Sequence, residues 1–429
     1  MPTSSTKGLS IGVVGGCGHI GLPLGMALAQ KGMSVTLIDT CADRVAKVQA
    51  GNMPFLERGA EELLPAVLAS GHLSATTSLA AVSGLDVVVV TIGTPVDEFL
   101  DPGVRSFDRA IDGVLAHMVD GQLLILRSTL FPGTTDRLAR LCIERALRID
   151  VAYCPERIAQ GYALEELVLL PQLVGGTSPS AARRACEVFG KLGATTLEVA
   201  PVEAELGKLF ANAYRYINFA ISNQFYQLAE KFGADFGRIH AAVTKDYPRM
   251  AAFSKAGFAG GPCLLKDTMQ LAAFNHNSFV LGQAAMMVNE GFPSALVESA
   301  KAHYDLRYMT AAILGMAFKG NSDDRRDSLA YKLRKLLTVE CRRVICTDVY
   351  ISEPDFVPLD TAIREADIIF VGACHDQYRE LVIQKPLIDP FAYVGTTQHE
   401  DIDNGSSRIH WGVSGRGVPV QRARSRRAG

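Results

Sequence analysis

The sequence predicts an α/β protein built on doubly wound parallel sheets. Short apolar segments alternate with longer segments of helical periodicity between residues 8 and 200, and the same alternation returns after residue 306. Between these regions lies one helical segment of about thirty residues without an internal proline. Because parallel strands are joined by helices that pack on the faces of a sheet, this order indicates two separate sheets linked by a helical region.

The first predicted unit is a strand, a glycine-rich turn, a helix and a second strand. Residues 11–14 form the strand, residues 22–31 the helix and residues 33–38 the second strand, which ends on Asp39. The turn consists of Gly16, Cys17, Gly18, His19, Ile20 and Gly21. In a Rossmann-like dinucleotide-binding domain, the three glycines of such a turn permit tight bending, close approach of a pyrophosphate and close helix packing, in that order.

Asp39 predicts which dinucleotide binds. An acidic residue at the end of the second strand accepts hydrogen bonds from a ribose 2′-hydroxyl and repels a 2′-phosphate, which favours NAD over NADP. The alternative is a glycine-rich turn that binds no ligand. The combination of strand, helix and acid disfavours that alternative.

Three more buried strands are expected in the same sheet, at residues 86–92, 123–126 and 150–153. Each is followed by a loop of unusual composition. These loops are Gly93-Thr94-Pro95, residues 128–135, and Cys154-Pro155-Glu156-Arg157. Because doubly wound sheets bind ligands at the carboxyl ends of their strands, we expect these loops to border the site.

The long helix is expected at residues 202–232, where it spans between domains. Glu205, Lys208 and Asn212 are spaced i, i+3 and i+7 and therefore share one face of this helix. On its own, such spacing is typical of a solvated face with a helix-stabilising ion pair.

A cysteine loop and a third region follow the long helix. Cys263 lies within residues 257–267, a loop that also contains Gly257, Gly260 and Gly261. A thiol and a hydride acceptor on one chain indicate oxidation through a thioester. Lys266 lies three residues after this cysteine and is expected to lower the pKa of its thiol. Further strands at residues 309–314, 343–347 and 367–371 predict a second, smaller α/β domain.

Composition fits a soluble enzyme. The 429 residues include 43 Lys and Arg against 45 Asp and Glu, so the protein is not expected to bind nucleic acid. Nine cysteines without a CxxC pair argue against a disulfide framework and a metal site. The sequence contains neither a signal-peptide pattern nor an uncharged apolar run of about 18 residues, which favours a cytoplasmic protein that does not insert into a membrane.

Seven motifs together resemble the UDP-glucose/GDP-mannose dehydrogenase family, the NAD-dependent nucleotide-sugar 6-dehydrogenases. They are the glycine-rich turn and residues 93–95, 128–135, 154–157, 205–212, 257–267 and 315–328, and the resemblance extends over residues 8–395. It implies a four-electron oxidation of a sugar C6 alcohol to a carboxylate, with two NAD and a thiohemiacetal and a thioester on Cys263. It also implies a homodimer or a higher homo-oligomer, formed through the region of the long helix.

The resemblance implies roles for individual residues. Lys208 and Asn212 would hold the substrate oxygen and stabilise the oxyanion, Asp267 would position or activate a water, and Glu156 would assist hydrolysis of the thioester on Cys263. The base for the first oxidation stays open. The implied cofactor-binding residues are Gly16, Gly18, His19, Ile20, Gly21, Asp39, Arg44, Thr94, Thr129, Lys266 and Arg326. The implied substrate-binding residues are Glu156, Arg157, Lys208, Asn212, Tyr247, Arg249, Gly257, Gly260 and Lys319. No metal is implied.

The expected domains are a Rossmann-like NAD-binding domain at residues 1–201, a central helical domain at 202–302 and a Rossmann-like UDP-sugar-binding α/β domain at 303–403. The arginine-rich tail at 404–429 is expected to be disordered.

The segment Arg157-Ile158-Ala159-Gln160-Gly161 bears on the substrate. It resembles the branch that acts on UDP-N-acetylhexosamines, whereas UDP-glucose enzymes usually carry Phe-Leu-Arg-Glu-Gly. UDP-N-acetylmannosamine or UDP-N-acetylglucosamine is therefore favoured over UDP-glucose. Two more distant alternatives are a two-electron β-hydroxyacid dehydrogenase, which has no use for Cys263 or a third domain, and a non-catalytic nucleotide-sugar or NAD sensor, against which the intact catalytic set argues.

Overall fold

The computed structural model describes residues 8–94 and 103–395 of the chain. Two predictions fall outside these ranges: the part of the Gly93-Thr94-Pro95 loop at Pro95, and the tail at 404–429. Within the described residues, an eight-stranded sheet lies at the N-terminal end and a four-stranded sheet at the C-terminal end.

The N-terminal sheet confirms the predicted doubly wound fold. Its strands are β1 (Ser10–Val14), β2 (Ser34–Ile38), β3 (Leu73–Thr76), β4 (Val87–Val90), β5 (Leu123–Leu126), β6 (Asp150–Tyr153), β7 (Gln172–Gly176) and β8 (Thr196–Glu198). Their spatial order is β3-β2-β1-β4-β5-β6-β7-β8, and β1 to β6 are all parallel. The last two strands run antiparallel to β6 and were not predicted.

In the described part of this domain, seven helices pack on the two faces of the sheet. They are α1 (Gly21–Gln30), α2 (Ala42–Gln49), α3 (Ala60–Ala69), α4 (Val104–Leu115), α5 (Thr134–Glu144), α6 (Ala163–Leu169) and α7 (Pro179–Leu192). The central strands β4 and β5 contain only Val, Leu and Ile, and all their residues are buried. A strand that is covered on both faces has no need for alternating polar residues, which explains these continuous apolar runs.

The central region consists of α8 (Pro201–Lys231), α9 (Phe236–Thr244), α10 (Leu264–Phe274) and α11 (Val280–Lys301). The 31 residues of α8 make it about 46 Å long, so it extends from the first sheet towards the second. Both α10 and α11 pack along it. Buried Asn223 on α8 also bonds to the backbone N–H and C=O of Gly257, which ties the cysteine loop to the long helix.

The C-terminal domain repeats half of the N-terminal topology. Its elements are β9 (Thr310–Leu314), α12 (Leu329–Glu340), β10 (Arg343–Thr347), α13 (Leu359–Glu365), β11 (Ile368–Val371) and β12 (Leu387–Ile388). The strand order β10-β9-β11-β12 is parallel throughout and corresponds to β2-β1-β4-β5 of the first sheet. This confirms the smaller Rossmann-like domain.

Candidate active site

Two positions of the glycine-rich turn, Gly16 and Gly21, leave no room for a side chain. Gly15 has a φ of +80° and donates its N–H to the carbonyl of Ile38 at 2.8 Å, which places the turn against the end of β2. A Cβ on Gly16 would lie 2.6 Å from the Val13 carbonyl oxygen, and one on Gly21 would lie 2.5 Å from the Gly15 carbonyl oxygen. These positions therefore require glycine for the backbone to reach this shape.

The end of β2 fits a dinucleotide. The Asp39 carboxylate accepts the backbone N–H groups of Cys17 and Cys41, each at 3.0 Å, and keeps lone pairs for further donors. Among the described residues, no side chain caps the N-terminus of α1, and the positive end of the helix dipole at the glycine-rich turn suits a pyrophosphate. Arg44 is exposed on the adjacent α2. The residues present fit the adenosine diphosphate part of NAD.

The loops after β4 and β5 are joined to each other. The Thr94 hydroxyl donates to the carbonyl of Thr129 at 2.9 Å, and the Gln270 side-chain amide on α10 donates to the carbonyl of Thr94 at 3.4 Å. Within the described ranges, the buried Ser128 Oγ and Gln270 Oε1 have no hydrogen-bond partner. The region between these two loops and α10, the cleft, thus carries unpaired polar atoms that fit the carboxamide end of the same cofactor.

A second cluster surrounds the first turn of α10. Cys263 lies at its N-terminus, and the Asp267 N–H donates to the Cys263 carbonyl at 2.9 Å. The side chain of Asp267 is fully buried. Its Oδ2 accepts the Asn212 amide at 2.5 Å and its Oδ1 accepts the Lys266 ammonium at 2.6 Å. Three predicted catalytic residues from two helices are therefore brought together with one residue predicted to bind the cofactor.

Lys266 lowers the pKa of the Cys263 thiol, as predicted, but the net shift of this pKa is upward. Cys263 is accessible from the cleft, yet protein surrounds its sulfur closely, and this burial raises the pKa of the thiol. The carboxylate of Asp267 raises the pKa further, while Lys208, Lys266 and Arg326 lower it without offsetting the first two causes. Burial is the largest cause of the upward shift, and the ammonium of Lys266 bonds to Asp267.

The other two residues of the predicted helix face lie in different surroundings. Lys208 is half-buried one turn before Asn212 and close enough to lower the pKa of Cys263. Glu205 is fully buried, and its carboxylate accepts the N–H groups of Gly133 and Thr135 and the Thr135 hydroxyl, at 2.6–2.8 Å. Glu205 thus caps the N-terminus of α5. Its carboxylate bonds to α5 and does not form the ion pair with Lys208 that the spacing suggested.

Glu156 lies in a buried ion pair that the sequence did not reveal. Its Oε2 bonds to the Arg127 guanidinium, and its Oε1 accepts the N–H groups of Arg157 and Ile158 at 2.7 and 2.9 Å. The guanidinium of Arg157 bonds to the carbonyl of Pro171. The signal in the sequence was that Arg127, a charged residue, directly follows the apolar strand Leu123–Leu126.

The C-terminal domain reaches the first domain through the loop at residues 315–328. The Lys319 ammonium donates to the carbonyl of Gln160, whose side-chain amide lies 3.0 Å from Nδ1 of His19 in the glycine-rich turn. Arg326 bonds to Asp324 and lies near both His19 and Cys263. Both predicted residues of this domain therefore border the cleft within one chain.

The glycines of the cysteine loop are explained by this domain contact. A Cβ on Gly257 would lie 2.4 Å from the Phe391 ring, and one on Gly260 would lie 2.9 Å from the carbonyl oxygen of Asp327. The remaining predicted substrate residues, Tyr247 and Arg249, lie on an exposed turn before the loop, with the guanidinium 5.6 Å from the ring centroid.

No group of three metal-ligating side chains occurs in residues 8–94 and 103–395. None of the helices in those ranges is long and apolar enough to cross a bilayer.

Three family models of the UDP-glucose/GDP-mannose dehydrogenase family match the chain. The NAD binding domain matches residues 9–193, the central domain residues 202–291 and the UDP binding domain residues 312–394.

Individual proteins similar to this chain are named as nucleotide-sugar dehydrogenases. A UDP-N-acetyl-D-mannosamine dehydrogenase of Methanocaldococcus jannaschii is 31% identical over 85% of this chain and 85% of its own length. The structure of the Pyrococcus horikoshii UDP-D-ManNAc dehydrogenase covers 90% of this chain and 96% of its own, with 28% identity and a TM-score of 0.84. A UDP-glucose dehydrogenase structure from Pyrobaculum islandicum covers 92% and 96%, with 27% identity and a TM-score of 0.82. With the dinucleotide-binding turn and the cysteine cluster of its cleft, the chain belongs to the UDP-glucose/GDP-mannose dehydrogenase family and is an NAD-dependent nucleotide-sugar dehydrogenase.

Proposed function

We propose that this enzyme oxidises the C6 alcohol of a UDP-N-acetylhexosamine, in the first place UDP-N-acetylmannosamine, to the carboxylate through a thioester on Cys263. The observation that carries the proposal is the hydrogen-bonded set of Asn212, Asp267 and Lys266 at the helix turn that begins with Cys263. A two-electron alcohol dehydrogenase has no use for a thiol in that position.

In the first oxidation the chain binds and orients the alcohol. Lys208 and Asn212 lie one turn apart on α8, the ammonium close enough to Cys263 to lower its pKa and the amide bonded to Asp267, and together they hold the substrate oxygen. NAD, when bound, accepts the hydride in each of the two oxidations. The hydroxyl proton leaves to a base whose identity the proposal leaves open.

The second oxidation uses the thiol. The sulfur of Cys263 attacks the aldehyde carbon, its proton moves to the carbonyl oxygen, and a thiohemiacetal forms. Loss of hydride from that carbon and of the hydroxyl proton gives the thioester. Because the carbon stays covalently attached, the aldehyde cannot escape between the two steps.

Hydrolysis then restores the thiol. Water adds to the thioester carbonyl, the C–S bond breaks, and the carboxylate leaves with the UDP part. Asp267 lies one helical turn from Cys263 and positions or activates this water, although two of its acceptor positions are already occupied. Glu156 assists from the loop after β6.

Two observations support UDP-N-acetylmannosamine as the substrate. Relatives that match most of the chain are named UDP-N-acetyl-D-mannosamine dehydrogenases, and the segment at residues 157–161 resembles that branch. This segment bonds to the loop that carries Lys319, through the Gln160 carbonyl. The similar UDP-glucose dehydrogenase structure makes UDP-glucose the second candidate.

The test counts NADH formed per sugar consumed for UDP-N-acetylmannosamine, UDP-N-acetylglucosamine, UDP-glucose and GDP-mannose. We expect two NADH per sugar and the highest kcat/KM for UDP-N-acetylmannosamine. Cys263→Ala should form no acid, whereas Cys341→Ala, which removes a half-buried thiol in the C-terminal domain, should remain active. One NADH per sugar, or full activity without the Cys263 thiol, would contradict the thioester, and a higher kcat/KM for UDP-glucose would contradict the substrate.

We also propose that a second copy of the chain covers one face of α8. Six large apolar side chains, five on this helix and one at its C-cap, are 40–85% exposed, and at 100° per residue they lie within about 60° of one another. They are Phe210, Tyr214, Ile221, Phe225, Leu228 and Phe232. A continuous apolar stripe of this length is typical of a protein interface.

We further propose domain boundaries at residues 201, 302 and 403, supported by the strand pattern, and a cytoplasmic location, supported by the composition.

A further inference from the structure

His375 is a buried histidine with both ring nitrogens bonded. It follows β11, its side chain is fully buried, and its ring packs edge-on against Tyr350 and Tyr378. Nδ1 accepts the backbone N–H of Asn321 at 3.0 Å, so the ring proton lies on Nε2, which donates to Oδ2 of Asp348 at 3.1 Å. The imidazole therefore connects two separate segments of the C-terminal domain.

Asp348 occupies the position in this domain that Asp39 occupies in the first. Gly315 donates to the last residue of β10 at 2.9 Å, as Gly15 does to the last residue of β2 at 2.8 Å. Asp348 and Asp39 each directly follow those strands and each accept N–H groups from the preceding turn. The two carboxylates are thus equivalent positions of two related half-folds.

The two carboxylates differ in how many donors they accept. Asp348 accepts the N–H groups of Met316, Ala317, Tyr350 and Ile351 at 2.6–3.1 Å in addition to His375. A carboxylate offers about four lone-pair sites, so five donors leave none for a ribose hydroxyl. The imidazole takes an acceptor position on Asp348 of the kind that Asp39 keeps for further donors, and Asp348 is therefore a structural residue.

The bonded segments determine where Lys319 lies. A Cβ on Gly320 would lie 2.0 Å from the carbonyl oxygen of Cys374, so this loop rests directly on the backbone before His375. Asn321 adds two side-chain bonds to Asp376, at 2.8 and 2.9 Å. Lys319 immediately precedes these contacts, and its ammonium lies on the loop after β6.

We propose that His375 is a positioning residue for nucleotide-sugar binding: by joining Asp348 to Asn321 it fixes the loop that presents Lys319 and Arg326 to the cleft. The inference rests on the proposed function, because it assumes that this loop contacts the UDP-sugar. His375 itself touches no substrate and acts through the backbone of the loop.

Two conservative variants separate the two bonds of the ring. His375→Asn keeps an acceptor near Nδ1 for the Asn321 N–H, whereas His375→Gln keeps only a donor near Nε2 for Asp348. We expect His375→Gln to raise the KM for the UDP-sugar about tenfold, as one lost buried hydrogen bond does. The KM for NAD and the kcat at saturating sugar should change by less than about threefold. His375→Asn keeps the bond to the Asn321 N–H and loses only the bond to Asp348, so it should raise the sugar KM less, by about threefold.

The control is Tyr378→Phe, which removes a buried hydroxyl that has no partner among the described residues and keeps the ring against His375. It should leave the sugar KM unchanged. A merely structural role would lower the melting temperature of His375→Gln and leave the sugar KM at the wild-type value, and this result would overturn the inference.

Calorimetric binding of UDP alone gives a readout without turnover, and His375→Gln should weaken it by the same factor. If the histidine variants do not fold, Asn321→Gly tests the same loop, since φ of +53° at this position suits glycine and the change removes both bonds to Asp376. Unchanged UDP affinity in that variant would also overturn the inference. A wild-type protein that neither binds UDP nor oxidises a UDP-sugar would instead contradict the proposed function.

Discussion

The guanidinium of Arg127 and the carboxylate of Glu156 form a buried ion pair where β5 and β6 end. Both side chains are at most 5% exposed, and Arg127 also bonds to Gln172 and lies 4.8 Å above the Phe189 ring. Since two N–H groups of the following loop bond to the other oxygen of Glu156, the carboxylate holds that loop in place. Any role of Glu156 in hydrolysis therefore depends on Arg127.

The first prediction concerns this pair. Arg127→Met should lower the free energy of unfolding by about 3–5 kcal/mol, because it leaves a buried carboxylate without its cation. Urea unfolding followed by circular dichroism measures the change.

The control is a double-mutant cycle. Arg127→Met combined with Glu156→Gln should recover much of the lost stability, since an amide needs no cation. The same double variant should remain slow in thioester hydrolysis. Additive losses of stability would contradict a coupled pair.

The second prediction concerns the thiol of Cys263. Its pKa is raised, so the neutral thiol predominates at neutral pH, and alkylation by iodoacetamide should accelerate about tenfold per pH unit from pH 7 to pH 9. Asp267→Asn removes a charge that raises this pKa and should speed alkylation at fixed pH. Lys266→Met removes a charge that lowers it and should slow alkylation.

Peptide mapping by mass spectrometry assigns the alkylation to Cys263, with Cys263→Ala as the blank. Equal rates in both charge variants would show that burial alone sets the reactivity of the thiol. A plateau already at pH 7 would mean that the pKa is lowered.

Local patterns made much of the molecule predictable. The unit from β1 to Asp39 depends on neighbours in sequence, so its strand, turn, helix and acid could be recognised from residue types alone. The i, i+3, i+7 spacing also placed Asn212 on a face that the structure directs at Asp267.

What could not be predicted depends on residues far apart in sequence. Arg127 and Glu156 are 29 positions apart, and Glu205 caps a helix that begins 71 residues before it. The net pKa direction of Cys263 reflects how much protein surrounds the sulfur, which no spacing reveals. The antiparallel strands β7 and β8 carry short patterns that also fit loops.

The third prediction concerns His19 in the enzyme without cofactor. Burial lowers the pKa of this imidazole to about 4, and the nearby Arg326 adds to the effect. The unfolded chain binds a proton near pH 6.5 and the folded chain only near pH 4. Stability should therefore be lost as pH falls through this window, by roughly 3 kcal/mol at most.

Urea unfolding between pH 7 and pH 4 measures this loss. His19→Gln should flatten the pH dependence by that amount. His117→Gln, which changes an exposed imidazole, should leave the wild-type slope. Equal slopes in the wild type and His19→Gln would assign the acid sensitivity to other groups.

The fourth prediction concerns the apolar stripe of α8. Phe225→Glu and Leu228→Glu place charges on side chains that are 48% and 43% exposed and should convert a dimer into a monomer. Ile143→Glu, at a 77% exposed position on α5, is the matched control and should remain dimeric. Light scattering at micromolar concentration distinguishes these results, and a monomeric wild type would remove the proposal.

The last prediction separates backbone strain from domain packing at Gly261. This residue has a φ of +98°, and a Cβ would lie 2.4 Å from the Phe318 ring of the C-terminal loop. Gly121 has a φ of +90° with nothing within 4 Å of the same position, so Gly121→Ala measures strain alone, about 1–2 kcal/mol. Gly261→Ala should cost more than this and should raise the KM for the UDP-sugar, because the methyl group pushes the loop that carries Lys319 out of the cleft. Adding Phe318→Leu to Gly261→Ala should recover the sugar KM, while the loss of stability caused by backbone strain remains. Equal losses of unfolding free energy in Gly261→Ala and Gly121→Ala would mean that the two domains do not pack as closely as these distances require.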